Sequence, residues 1–263
     1  MPARSSLCTL FLSAYPFKHH GRKKLVRFFA SWLKTPMLRQ GTYGLKYLLD
    51  PKNYIDARIL SDGIYEQDTV EYFCQQVDRL GCKTFLDVGA NLGVYSLSVL
   101  RTTKVERILA FEPDPRNRNQ LGTSIFLNQA DNLIEVHPEA LSDKTGKTVL
   151  YAQRNDDLLC TGESSLEPLD VPHVEINVST LAFDERYDWK DQKVAIKMDV
   201  EGHEGTTLKG MEQLIRNNMV FLQVEIFDEN LEKIRQLLTG YGLRELPPTG
   251  DKQEDYYFTN APT

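Results

Sequence analysis

No stretch of the 263 residues approaches the roughly 18 uncharged apolar residues that a membrane-spanning helix requires. Cysteine is also scarce. Cys8, Cys74, Cys82 and Cys160 form no C-x-x-C pair, and four thiols in a chain this long do not make a disulfide scaffold. Cys74 and Cys82 sit in or beside apolar stretches, so buried free thiols in a reducing compartment are expected. There is no internal repeat and no low-complexity tract, and 16 Gly with 12 Pro excludes collagen-like and disordered compositions. The mildly apolar residues 7–15 make a poor secretory signal, because only Arg4 precedes them and a basic cluster follows. The expectation is a cytoplasmic protein.

What is present is length enough for one large α/β domain with a real core, and a strong charge asymmetry. The first 58 residues carry a net charge of +9 and the whole chain −6, which leaves −15 for the remainder. Such an acidic body repels phosphates, so no nucleic-acid partner is expected for it. The basic arm points to an anionic partner or surface. Within it, Leu25, Phe28, Phe29, Trp32 and Leu33 recur at helical spacing among Arg22, Lys23, Lys24 and Arg27, and Thr35-Pro36 ends the helix. Two readings of this helix stand: it docks on the domain, or it lies on the inner face of an anionic membrane and brings the chain to a lipid-linked substrate.

Residues 46–61 are mixed and read as a short strand or turn. A helix is expected over 68–80, closed by Gly81. From there strands and helices alternate. Strands are expected at 84–89, 107–112, 133–137, 194–199 and 220–226, helices at 94–100, 115–128, 206–217 and 230–239, and a closing hairpin near 243–246 and 256–259. This rhythm predicts an α/β fold: a doubly wound, mostly parallel, Rossmann-like sheet with helices on both faces and an N-terminal helical extension. The extension covers 1–61 and the domain 62–263, with an insert at about 142–180 that carries strands at 148–153 and 174–180.

In such sheets the ligand lies beyond the carboxyl ends of the strands, at the switch point. The first strand ends in Asp87-Val88-Gly89-Ala90-Asn91-Leu92-Gly93. Gly89 allows the tight turn and Gly93 close packing of the helix, while Glu112, 23 positions after Gly89, can accept both hydroxyls of a ribose. Asn91 stands where a pyrophosphate needs the middle glycine of G-x-G-x-x-G. Asp87 puts a carboxylate in the first turn, which would repel phosphates and attract an ammonium group. Both features favour S-adenosylmethionine over a nicotinamide dinucleotide. The competing reading makes Asp87 a helix cap and Glu112 a solvated strand end. For Asp114, capping and ligand contact are equally open.

On the other side of the switch point, Asp199, Glu201, His203 and Glu204 follow the fourth strand. An alcohol is a poor nucleophile until its proton is leaving, and a carboxylate or an imidazole there could take it. Three readings remain: Asp199 or His203 as a base, a divalent cation held by Asp199, Glu201 or Glu204, and acids that merely cap the next helix. The cation is the less favoured of the chemical readings. Glu225, ending the fifth strand, either lines a pocket or is solvated.

Four segments together carry a family resemblance: Phe85-Leu86-Asp87-Val88-Gly89-Ala90-Asn91-Leu92-Gly93, Phe111-Glu112-Pro113, Ala140-Leu141-Ser142-Asp143, and Lys197-Met198-Asp199-Val200-Glu201-Gly202-His203-Glu204. Over roughly 62–227 the chain resembles the FkbM-type methyltransferases, which implies a class I methyltransferase type of sheet. The resemblance implies cofactor contacts at Asp87, Gly89, Asn91 and Glu112, adenine-side contacts at Ala140, Leu141 and Ser142, and a glycine–serine loop at Gly162-Glu163-Ser164-Ser165-Leu166. It also implies O-methylation of a hydroxyl on a small-molecule or glycan acceptor. A nitrogen or protein acceptor, or nucleoside binding without catalysis, are the alternatives.

Overall fold

The structure is a computed structural model that describes residues 36–153, 164–168, 170–247 and 255–262. The predicted basic helix at 20–34 lies outside the described residues.

The chain enters through a small antiparallel pair, β1 (Met37–Gln40) and β2 (Lys46–Leu49). Next comes helix α1 (Tyr54–Asp62), where the sequence suggested a strand or turn. Its start is fixed by Asn53, whose side chain accepts from the Ile55 N–H, and its end by Gly63 in a left-handed conformation. Ile59 and Leu60 give α1 its buried side. Asp56 is fully buried and ties this segment down, accepting from Asp50 N at 2.6 Å and from Gln120 Nε2 at 2.7 Å. Leu45, Tyr47, Leu49, Ile59 and Leu60 therefore belong to the same core as the domain, although the sequence assigned residues up to 61 to an extension.

Helix α2 (Gln67–Leu80) buries Val70, Phe73 and Val77 at the predicted 3–4 spacing, and left-handed Gly81 closes it. The alternation then runs β3 (Thr84–Val88), α3 (Val94–Thr102), β4 (Arg107–Phe111), α4 (Pro115–Leu127) and β5 (Ile134–His137). The insert supplies β6 (Ala140–Leu141), β7 (Gly146–Gln153), β8 (Ser164–Ser165) and β9 (His173–Leu181), followed by the single turn α5 (Phe183–Arg186). The remaining elements are β10 (Lys193–Met198), α6 (Glu204–Lys209), α7 (Glu212–Asn217), β11 (Met219–Glu225), α8 (Leu231–Gly240), β12 (Arg244–Glu245) and β13 (Asp255–Thr259).

The main sheet has seven strands in the order β12-β13-β11-β10-β3-β4-β5. The five from β11 to β5 are parallel, and the closing hairpin adds the two antiparallel strands. Its strands read as nearly unbroken apolar runs because both faces are covered. Phe85, Ala195 and Phe221 face α1–α4, whereas Leu86, Ile196 and Leu222 face α5–α8. Phe73 of α2 sits on the first of these faces, its ring 5.3 Å from those of Phe85 and Phe221. The insert forms a separate four-stranded sheet, β6-β9-β7-β8. Cys74 and Cys82 are buried free thiols, pushed up to about 11 and about 12 by burial. Among the described residues no helix is long and apolar enough to cross a membrane.

The single helix expected over 206–217 is broken into α6 and α7 at Gly210-Met211. The backbone makes a close approach at this break: a Cβ at Gly210 would run into the carbonyl of Ser142, where the insert begins. Gly210→Ala should therefore destabilise the fold by about 1–3 kcal/mol, as forced overpacking does. Gly205→Ala in α6, with open space around the new methyl, should be neutral or stabilising by up to ~1 kcal/mol. Urea unfolding midpoints of the two variants check the opposite signs.

Candidate active site

Strands β3 and β10 are neighbours whose chains leave in opposite directions, β3 toward β4 and β10 toward β11. The gap opened between their following loops is the switch point. Gly89 turns there with φ +80°, and a Cβ on it would collide with the Asp199 carbonyl. The two loops are pinned together by Asp199 N donating to Val88 O at 3.0 Å. A cleft runs outward from this point, lined by Val88, Gly89, Asn91, Phe111, Glu112, Pro113, Asn117, Ala140, Leu141, Asp199, Val200, Glu201 and His203, with Leu150, Ser164 and Leu166 from the insert.

Glu112, directly after β4, lines the cleft and is 5% exposed. One carboxylate oxygen accepts from Asn91 N at 2.7 Å and the other from Asp114 N at 2.8 Å. Burial pushes its carboxyl up to about 7, against the pull of these two N–H groups. Asn91 holds a left-handed φ of +50°, and its side-chain oxygen is buried without a hydrogen-bond partner. Asp114 proves to be the N-cap of α4, accepting from Arg116 N at 2.8 Å.

The structure turns Asp87 away from this cleft. Its carboxylate is 1% exposed and accepts from both the N–H and the hydroxyl of Ser96, at 3.0 and 2.6 Å, which fastens the first turn of α3. This is the capping arrangement rather than an open carboxylate in the first turn. The reason is strand register: Asp87 pairs with Lys197, so the two side chains share one face of the sheet. Lys197 is itself buried, 2.9 Å from Asp199 Oδ2 and 5.2 Å from the centre of the Tyr95 ring. Burial works against its charge, but Asp199 and Asp87 outweigh that and hold it protonated. Sequence reasoning passed over Lys197 because a lysine inside a strand motif carries no positional signal of burial.

Gly93 also faces elsewhere, packing toward Leu121 of α4. Glu204 is buried behind the loop it was expected to serve, accepting from Gly202 N at 2.9 Å. Glu225 neither lines the cleft nor is freely solvated: it is half-buried, and burial together with nearby Asp199 pushes its carboxyl up.

His203, in the loop after β10, lines the cleft with both ring nitrogens engaged. Nδ1 lies 2.9 Å from Glu167 Oε1, and Nε2 lies 3.0 Å from Ser142 Oγ. Ser142 does not line the cleft; it reaches the site through this contact. Of the glycine–serine piece, Gly162 and Glu163 lie outside the described residues, while Ser164 and Leu166 line the cleft. Ser165 donates to Glu201 O at 2.6 Å and accepts from Glu167 N at 3.0 Å, joining the insert to the loop after β10. Glu167 was missed because no periodicity or motif spacing links it to His203, 36 residues away. Among the described residues, no group of three or more His, Cys, Asp or Glu side chains comes together as a metal-ligand set.

The methyltransferase FkbM domain matches residues 87–245, more than half of the chain. Methyltransferase sdnD of Sordaria araneosa is 26% identical over 203 residues, covering 64% of this chain and 76% of that protein. Among solved structures, methyltransferase FkbM from Methylobacillus flagellatus KT superposes with a TM-score of 0.48 at 18% identity over 90% of this chain, which spans only 59% of the other. M. jannaschii TYW2 in complex with AdoMet gives 0.43 at 12% identity, over 86% of this chain and 84% of that one. By the family match, this chain belongs to the FkbM-domain methyltransferases.

Proposed function

We propose that the chain transfers a methyl group from S-adenosylmethionine to a hydroxyl of a glycan, glycolipid or secondary metabolite. The observation that carries this reading is one cleft lined by two chemically different groups: the buried acid Glu112 after β4 and the imidazole of His203 after β10, on either side of β3. The residues fit the donor. Glu112 has lone pairs left for two ribose hydroxyls, and the unpartnered Asn91 oxygen offers an acceptor buried beside it. Phe111, Ala140 and Leu141 give an apolar wall suited to a purine. When bound, the donor supplies an electrophilic methyl group attached to a sulfonium.

The chain's own contribution is positioning and proton removal. Asp199, Glu201 and His203 line the part of the cleft nearest the end of β10. Asp199 is committed to Lys197, which leaves His203 as the base. An entering hydroxyl takes the place of Ser142 at Nε2 and gives its proton to the ring. A net charge of −15 outside the first 58 residues supports a small or glycan acceptor over nucleic acid.

Glu112→Ala should weaken binding of S-adenosylhomocysteine by about 1–3 kcal/mol in calorimetry. The ionised carboxylate is the better acceptor for ribose hydroxyls, so binding draws its proton off. Affinity should then rise as pH increases from 6 to 8, through the value of about 7 in the free protein, and Glu112→Gln should flatten that rise. Tight NADH binding without S-adenosylhomocysteine binding would overturn the donor assignment.

For the acceptor end, labelled S-adenosylmethionine with cell-envelope glycan and small-metabolite fractions supplies the assay. His203→Ala should lower transfer roughly 10²–10⁴-fold while donor affinity survives. Asp199→Asn should also lose most activity, by releasing Lys197 from its partner. Activity that falls with a chelator and returns with a divalent cation would replace the imidazole by a metal. Label found on nitrogen or on protein would move the acceptor class.

A further inference from the structure

We infer that Glu167, a residue of the insert, is a positioning residue that sets the tautomer of His203 and thereby makes its Nε2 the proton acceptor. The inference rests on the reading of His203 as the base.

A neutral imidazole has one N–H and one lone pair, and its neighbours decide which nitrogen carries which. Glu167 places a carboxylate oxygen 2.9 Å from Nδ1. An ionised carboxylate can only accept, so Nδ1 carries the hydrogen and donates it. The lone pair is then on Nε2, where the Ser142 hydroxyl, 3.0 Å away, donates to it. The Ser142 hydroxyl can donate or accept, so it accommodates this assignment, and the Glu167 carboxylate is the group that sets it. An imidazole in water prefers the opposite tautomer, with the hydrogen on Nε2, which could not accept a proton from an alcohol. In the proposed step the acceptor's O–H bond breaks, the proton goes to Nε2, and the electron pair stays on oxygen.

Burial separates a positioning role from an incidental surface pair. The His203 side chain is only 11% exposed, so its ring has little freedom to find other partners. The Glu167 side chain is 56% exposed, which limits what the pair adds to stability but not to orientation. Glu167 is also placed from behind: its own N–H is held by Ser165 Oγ, and the same hydroxyl is bonded to the backbone beside His203. Carboxylate and ring are thus mounted on one hydrogen-bonded unit, although they are 36 residues apart in sequence.

The test uses the full chain labelled with ¹⁵N in histidine, at a pH where the ring is neutral, in wild type, Glu167→Gln and Glu167→Ala. Ring nitrogen shifts should report Nδ1–H for His203 in the wild type. They should do so again in Glu167→Gln, whose amide oxygen still accepts, whereas Glu167→Ala should move a large share of the hydrogen to Nε2. In the transfer assay Glu167→Ala should lower kcat about 10–100-fold with the donor KM unchanged, less than loss of the base itself, and Glu167→Gln should recover most of it. A wild-type tautomer and kcat in Glu167→Ala would overturn the inference. A shifted tautomer in Glu167→Ala alongside full activity in His203→Ala would uphold the pairing and overturn the base reading beneath it.

Discussion

A lysine ammonium group buried under the carboxyl edge of a parallel sheet is the constraint around which the site is arranged. Lys197 cannot shed its charge without stranding Asp199, and it cannot keep it without carboxylates close by. Strand register supplies Asp87 from β3 on one side, and the end of its own strand supplies Asp199. Removing one partner of such a buried pair typically costs about 3–5 kcal/mol, which is a large part of the stability of a whole domain. This polar row therefore fixes more than charge. It commits Asp87 to the inside of the sheet, where its remaining hydrogen bonds hold the first turn of α3. It also commits Asp199 to a fixed direction at the mouth of the cleft.

With Asp87 buried and Asp199 tied to Lys197, the groups left for ligand chemistry come from the loops. Asn91 and Glu201 both have left-handed backbone, φ +50° and +53°, on opposite sides of the switch point. For residues with a Cβ this conformation costs roughly 1–2 kcal/mol. Each is restrained by a bond to a neighbouring loop: Asn91 N donates to Glu112, and Glu201 O accepts from Ser165. The first of these bonds ends on the buried acid proposed for the ribose. The second ends on the insert. Backbone strain is thus held in the two loops that flank the switch point, and the groups that hold it are lining residues or their immediate support.

Much of this was legible in the chain. The apolar runs at 84–88, 107–111 and 194–198 need two covered faces, so the buried parallel strands and the loops after them follow from pattern alone. Gly89, Asn91, Glu112, Asp199 and His203 were found that way, and all of them line the cleft. What pattern could not give was direction. Asp87 looks like a ligand residue because it precedes a glycine loop, but alternation along β3 turns its side chain toward Lys197, and only the register with β10 shows this. Glu204 looks like a fourth acid of the acceptor end, but its carboxylate folds back onto Gly202 N to close the turn. Helix α1 was hidden because its mixed composition has little periodicity, and its position is secured by tertiary bonds from Asp56 to the backbone before it and to α4.

The insert follows a different logic from the sheet it interrupts. Its strands form their own small sheet, and β6 runs directly on from β5, so it is mounted rigidly at the edge of the cleft. From that mount it supplies Ala140, Leu141 and Leu150 as apolar wall, Ser142 and Glu167 on either side of the His203 ring, and Ser165 as the tie to the loop after β10. Thr207 on α6 returns the connection, donating to Leu141 O at 3.0 Å. Sheet and insert thus divide the work: the sheet edge carries the fixed charges and the imidazole, while the insert sets how that imidazole is presented. A change at Ser165 or Glu167 would alter the angle and tautomer of the ring without touching β3, β4 or β10. Proton-accepting geometry is in this way separable from Glu112 and Asn91, the groups proposed to hold the donor's ribose.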